Sequence, residues 1–183
     1  MIRFHNPAAK TAIAPEPYEL SCDIRPKDGA DLTVGLLANG FPDSEVFIRK
    51  VGEAIQKRLP NITTKVWNKG NAGVPASEEM LREIAESCQV AIAAYGHWGS
   101  CTTGTVRDGV NIAKKGLPSV ALVTDDFWAQ GEFVARSIGM PTAPRIKLPH
   151  PVAGTGETHI GEVADSVAEQ IIDRLAYAWF FRS

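Results

Sequence analysis

Five short apolar runs recur along this chain, and each is followed by a stretch whose apolar residues fall at helical spacing. The runs are Leu32–Ala38, Ile62–Trp67, Val90–Ala94, Pro118–Val123 and Arg145–Leu148. Most are continuous rather than alternating, which is how strands buried on both faces read. Between them the spacing predicts helices over Asp43–Leu59, Ser77–Cys88, Thr105–Lys115, Asp126–Ile138 and Gly161–Trp179. The first buries Phe47, Val51, Ala54, Ile55 and Leu59, and the last Val163, Val167, Ile171, Leu175 and Trp179. Ser77 suits an N-cap, with Glu78 and Glu79 in the first turn, and Gly116 suits a helix stop. Strand–helix alternation with right-handed crossovers implies an α/β class: a single doubly wound three-layer domain with a five-stranded parallel sheet, flavodoxin-like or Rossmann-like. That domain is expected over residues 31–183. Residues 1–30 carry Pro7, Pro15, Pro17 and Pro26 without a period and read as an extended N-terminal arm, wrapping the domain or a neighbouring subunit, or else as a disordered tail.

Ligands of such folds bind outside the carboxyl ends of the strands. The candidates are therefore Asn39 and Gly40, Lys69, the turn from His97 to Thr103, Thr124 to Asp126, and His150. The richest is Gly96-His97-Trp98-Gly99-Ser100-Cys101-Thr102-Thr103-Gly104, at a strand-to-helix turn. A helix N-terminus favours negative charge, so a thiolate, the reactive form of cysteine, is favoured there. Cys101 is read as a nucleophile, against the blander reading of a small buried hydrophobe. His97 is read as a proton donor or as a partner to the sulfur, or equally as a cap of the turn. His150, between Pro149 and Pro151, reaches the same rim or merely shapes the loop. Gly99, Ser100, Thr102 and Thr103 supply amides and hydroxyls for a carboxylate or oxyanion. Asp125 and Asp126 bind an amine, orient a histidine or cap the next helix. Lys69 meets a carboxylate substrate or is simply solvated. Cys88 reads as core, Cys22 belongs to the arm, and His5 and His159 read as surface residues.

Composition sets limits on partners. A formal net charge of -2 over 183 residues gives no electrostatic argument for nucleic acid or an anionic membrane. No apolar run approaches the roughly 20 residues that span a bilayer. The first residues lack the apolar stretch of a secretory signal, and three widely spaced cysteines make no disulfide framework, so a cytoplasmic protein is expected. No His/Cys spacing matches a metal site, so no metal is expected. No cofactor is expected either: Asn39-Gly40-Phe41-Pro42 stands where a dinucleotide fingerprint would, and Gly154-Thr155-Gly156 is incomplete as a phosphate loop.

Gly99-Ser100-Cys101-Thr102, followed by Gly116-Leu117-Pro118-Ser119-Val120 at the next strand, resembles the UGSC family of selenoproteins and their cysteine or non-selenium relatives. More distantly it resembles the selenocysteine region of the B components of glycine, sarcosine and betaine reductases. The resemblance covers most of the chain beyond the arm, and the Asn39-Gly40 turn, Thr124 to Phe127 and His150-Pro151 fit it. In those relatives the first motif position carries selenocysteine or cysteine, three residues before the second thiol. Here that position is Trp98. A two-centre redox couple cannot form within the motif, so Cys101 alone carries over as a nucleophile. Resolution of an adduct then needs an external thiol or electron donor, Cys22, or a partner protein. Trp98 walls an apolar pocket, stacks on a substrate, or is a core aromatic.

Three functions follow as expectations. The first is a thiol-dependent enzyme acting on a small carbonyl- or amine-bearing acid, with the reductive chemistry that the resemblance implies; a cofactor-independent racemase-like version would need a second base. The second is a non-catalytic or half-catalytic subunit that supports a motif-complete paralogue. For this reading the proline-rich arm and the tail Ala176–Phe181 suit a homo- or hetero-oligomer interface. The third is a nucleotide- or flavin-binding module.

Overall fold

The protein, seen in a computed structural model, is described over residues 13–177. Residues His5 and Trp179 and the tail beyond Tyr177 lie outside the described residues. The elements in chain order are β1 (Thr33–Ala38), α1 (Ser44–Arg58), β2 (Thr63–Asn68), α2 (Glu78–Ser87), β3 (Val90–Gly96), α3 (Gly99–Lys114), β4 (Ser119–Thr124), α4 (Trp128–Ser137), β5 (Arg145–Leu148) and α5 (Glu157–Ala176). All strand pairings are parallel, in the order β2-β1-β3-β4-β5, which is the flavodoxin-like order.

The period-two alternation of strand side chains separates two cores. Val34, Leu36 and Ala38 of β1 pack with α1 and α5, while Leu37 faces α2 and α3. Val123 of β4 meets α3 and α4. Helices thus cover both faces, and every residue of β3 and β4 is buried. Gly35 allows a close approach on the α2 side of the sheet: a Cβ there would stand 3.1 Å from Cys88 Sγ and 3.2 Å from Ile84 Cγ2. Cys88 is accordingly core, and burial pushes its thiol pKa up.

Several boundaries differ from the periodicity. β3 runs on to Gly96, and α3 starts at Gly99 rather than Thr105, so the thiol turn is the helix's own first turn. Glycine and β-branched threonines are poor helix formers, which hid that turn; side-chain bonding restores it. α5 begins at Glu157, four residues early, and carries Gly161 inside it. Asp125–Phe127 forms a 3-10 turn before α4, and no side chain caps α4. Asp125 instead accepts a hydrogen bond from Asp126 N. Ser77 does cap α2, accepting from Met80 N at 3.2 Å.

The arm is not wholly extended, since Pro26–Gly29 forms a 3-10 turn with positive φ at Lys27 and Asp28. Its described part lies along the domain: Glu16 N donates to Gly139 O and Cys22 N to Leu175 O. Tyr18 inserts its hydroxyl at the start of β4, accepting from Ser119 N at 2.9 Å and lying 3.4 Å from Ser119 O. Burial pushes its pKa up to about 12, against the pull of the Ser119 backbone. Tyr18→Phe leaves the Ser119 N–H unpaired in the interior and is expected to cost about 1–3 kcal/mol, measured by urea denaturation.

Candidate functional site

The carboxyl ends of β1, β3, β4 and β5 meet in one rim, and its centre is the first turn of α3. Trp98, the N-cap residue, has no side chain suited to capping. Cys101, at the third helical position, does that work. Its Sγ accepts from Trp98 N at 2.9 Å and from His97 N at 3.2 Å, in the manner of the inner residue of a capping box. The thiol itself lies 3.2 Å from Trp98 O, which also accepts from Thr102 N. Cys101 is 0% exposed, yet it joins none of the hydrophobic clusters among the described residues. Its hydrogen-bond partners are all backbone groups of the turn.

The histidine expected to partner this sulfur does so through its backbone. The His97 imidazole turns the other way, and Nε2 accepts from Val152 N at 3.0 Å and Ala153 N at 3.3 Å. Nδ1 is buried without a partner. The ring stacks on Phe41 (centroids 5.3 Å apart) and lies 4.3 Å from the His150 ring. Burial, and then the His150 charge, hold its pKa below the ordinary value, with Asp126 opposing. His150 reaches the rim: Nδ1 lies 3.2 Å from Thr124 Oγ1, and Nε2 lies 3.8 Å from an Asp126 carboxylate oxygen. Of the two aspartates, Asp126 therefore faces the histidine and Asp125 does not. Trp98 is 57% exposed, which removes the core-aromatic reading; its ring lies 5.9 Å from Phe127 and 6.5 Å from His150.

Asn39, Gly40 and Lys69 make contacts that hold the loops of the rim together. Asn39 is buried with both amide protons used, on Tyr95 O and Thr105 Oγ1, while Oδ1 accepts from Phe41 N. Gly40 has φ +86°, and a Cβ would stand 2.5 Å from the Gly70 backbone, so it lets two loops cross. Lys69 is neither solvated nor open to substrate. Its side chain is 3% exposed and pairs with Asp108, itself 1% exposed. Lys69 Nζ also donates to Val74 O at 2.6 Å, and Asp108 accepts from Ala76 N at 2.7 Å. Burial pushes the Asp108 pKa up, opposed by Lys69 and that N–H. The pair fastens the 68–76 loop over α3, close enough that a Cβ at Gly104 would meet Ala72 O. Gly99 O accepts from Thr103 Oγ1 and from Gln130 Nε2, which ties α4 to this turn; Ser100 is exposed beside Gly73. Thr102 is 0% exposed and its hydroxyl has no partner.

Sequence reasoning missed Asp108, Gln130 and the amides of Val152 and Ala153. Asp108 left a signal, an acid among Thr105, Gly109 and Ile112 on the buried stripe, where a charge needs a partner. Gln130 left none. A groove of about 380 Å³ lies elsewhere, between α1 and α5.

The model of the UGSC family matches residues 5–177. No curated protein matches the chain. Among solved structures, the flavodoxin-like domain of a Synechococcus sp. protein is similar at 12% identity, covering 77% of this chain and 98% of that one, with a TM-score of 0.36.

Two outcomes follow. Lys69→Met strands a buried carboxylate and is expected to cost about 3–5 kcal/mol by denaturant unfolding, with much of the loss recovered when Asp108→Leu is added. His97 has its folded pKa held below the unfolded value of about 6.5, so its contribution is complete above that pH. That contribution is lost as pH falls from there toward the folded pKa. Melting temperature should drop between pH 7 and 5.5, and less steeply in His97→Gln.

Proposed function

The chain belongs to the UGSC family, and we propose that within it this protein is a thiol-dependent enzyme whose Cys101 attacks a small carbonyl-bearing acid at the α3 N-terminus. One observation carries this: two backbone N–H donors, of His97 and Trp98, are aimed at the sulfur. Two N–H donors on one sulfur suit an anionic nucleophile, whose charge passes to the carbonyl oxygen as the C–S bond forms. The sulfur adds to the carbonyl carbon, a C–S bond forms, the carbonyl π pair moves to oxygen, and the thiol proton ends on that oxygen. The adduct is redox-neutral; any reductive cleavage needs an external thiol as electron donor, because Trp98 occupies the motif's first position. His150 is the imidazole available to carry the proton, since His97 Nε2 is engaged by the Val152 and Ala153 amides. Complete burial of Cys101 means that substrate enters with a local opening of the 96–101 turn. The setting is a reducing cytoplasm, in a homo- or hetero-oligomer.

A second reading has its own support. Trp98, exposed beside a wholly buried Cys101, suits a subunit that docks on a motif-complete paralogue rather than one that reacts. Thiol mapping separates the two, with Cys88 as an internal standard for an ordinary buried cysteine. Methyl methanethiosulfonate at pH 7.5, followed by peptide mass spectrometry, should label Cys101 at least tenfold faster than Cys88. Labelling at or below the Cys88 rate overturns the enzyme reading and leaves the subunit reading in its place.

A further inference from the structure

A second concentration of charge lies beside Arg145, the first residue of β5 and so at the opposite end of that strand from the rim. The arginine is half-buried, and two of its N–H groups are spent on the loop before the strand. Nη1 donates to Ala143 O at 2.9 Å and Nη2 to Pro141 O at 3.2 Å. Its Nε is buried without a partner. Among the described residues Arg145 forms no ion pair, whereas Arg25, Arg49, Arg58 and Arg82 each meet a carboxylate. A guanidinium drawn in from solvent without a counter-ion is uncommon.

More positive than negative charge gathers there. Arg145 Cζ lies 5.9 Å from the centre of the Trp128 ring and Lys147 Nζ 5.1 Å, both within cation–π range. Arg145 and Arg174 line one cavity of about 180 Å³, together with Trp128, Glu132 and Thr142. Glu132 is exposed and acts on Arg145 only from beyond ion-pair distance. Thr142 Oγ1 accepts from Tyr18 N at 2.9 Å, which leaves its hydroxyl proton to donate. Burial pulls the Arg145 pKa down, Glu132 opposes this, and the Arg174 charge adds to it. An anion held by both guanidinium groups relieves the burial of charge and their mutual repulsion together.

We infer that this cavity is a binding site for a small oxyanion, a carboxylate or a phosphate, held by the terminal N–H groups of Arg145, by Arg174 and by the Thr142 hydroxyl. Each terminal nitrogen of Arg145 keeps one more proton after its carbonyl bond, and a guanidinium edge matches the paired oxygens of either acid. The Pro141 and Ala143 carbonyls fix that edge before a ligand arrives, which lowers the ordering cost of binding. The cavity is smaller than the roughly 300 Å³ at which drug-sized sites begin, so its occupant is a few heavy atoms around one acid group. Glu132 weakens the site for an anion. The assignment involves no chemistry at Cys101.

The test titrates the full chain at low salt with inorganic phosphate, acetate and chloride, following arginine Nε–H resonances in nitrogen-15 spectra. An oxyanion should shift the Arg145 Nε–H saturably; phosphate acting alone assigns the phosphate class, and acetate acting equally or better assigns the carboxylate. Arg174→Gln should weaken the better probe about tenfold or more, the size of a hydrogen bond to a charged partner. Arg145→Gln should do the same, read from the rise in melting temperature that the probe produces. Glu132→Gln should tighten binding about threefold, because a repelling carboxylate is gone. Arg136→Gln, on the exposed side of α4 and outside the lining, should bind like the parent. Cys101→Ser should as well, which separates this site from thiol chemistry. Should Arg145→Gln fail to fold, Arg174→Gln and Glu132→Gln still decide. No saturable shift, chloride acting as well as either oxyanion, unchanged binding in Arg174→Gln, or weaker binding in Glu132→Gln would overturn the inference.

Discussion

Backbone N–H groups left over where a central strand turns into a helix must find acceptors, and here two chemically active side chains supply them. Cys101 Sγ takes the amides of His97 and Trp98, and His97 Nε2 takes those of Val152 and Ala153. One residue joins β3 to α3; the other joins β3 to the loop after β5. The rim is thus held together by a sulfur and an imidazole nitrogen. An unpaired buried amide costs about as much as a lost hydrogen bond, so these contacts are structural whatever else they do.

That double duty shapes how the site behaves. A sulfur enclosed by amides is held in position but has no open path to solvent, and an imidazole that accepts on one nitrogen must donate on the other. The side chains of exposed Trp98 and half-buried His150 take no part in that framework of amides. They lie at the solvent side, where a ligand or a partner would first touch. Local rules are broken around this turn: an N-cap that cannot cap, a threonine without its back-bond, a histidine with a lone donor. Such violations collect at functional sites because packing elsewhere sustains them.

Around the rim the scaffold is closed by contacts that admit no slack. Asn39 spends every amide proton bridging β1 to β3 and α3. The Lys69–Asp108 pair presses the 68–76 loop onto α3. Gly40 and Gly104 permit backbone approaches that any side chain would block. The first turn of α3 is therefore gripped on one side by this loop and on the other by Gln130.

Hydrophobic periodicity carried the architecture. Five apolar runs alternating with helical spacing leave one economical arrangement, a parallel sheet covered on both faces, and the motif around Cys101 already marked the family. The start of α3 was not legible, because its first turn is written in glycine and threonine and is stabilised by a sulfur rather than by propensity. The roles of individual rim residues were equally hidden. Strand-end position nominated Asn39, Lys69, His97 and His150 alike, since a one-dimensional pattern records which end of the sheet a residue occupies but not which groups compete for its hydrogen bonds. Three-dimensional packing settled that competition. It buried Lys69 against Asp108, turned the His97 ring toward Val152, and left Trp98 in the open, because the partners of these groups lie in segments distant in the chain.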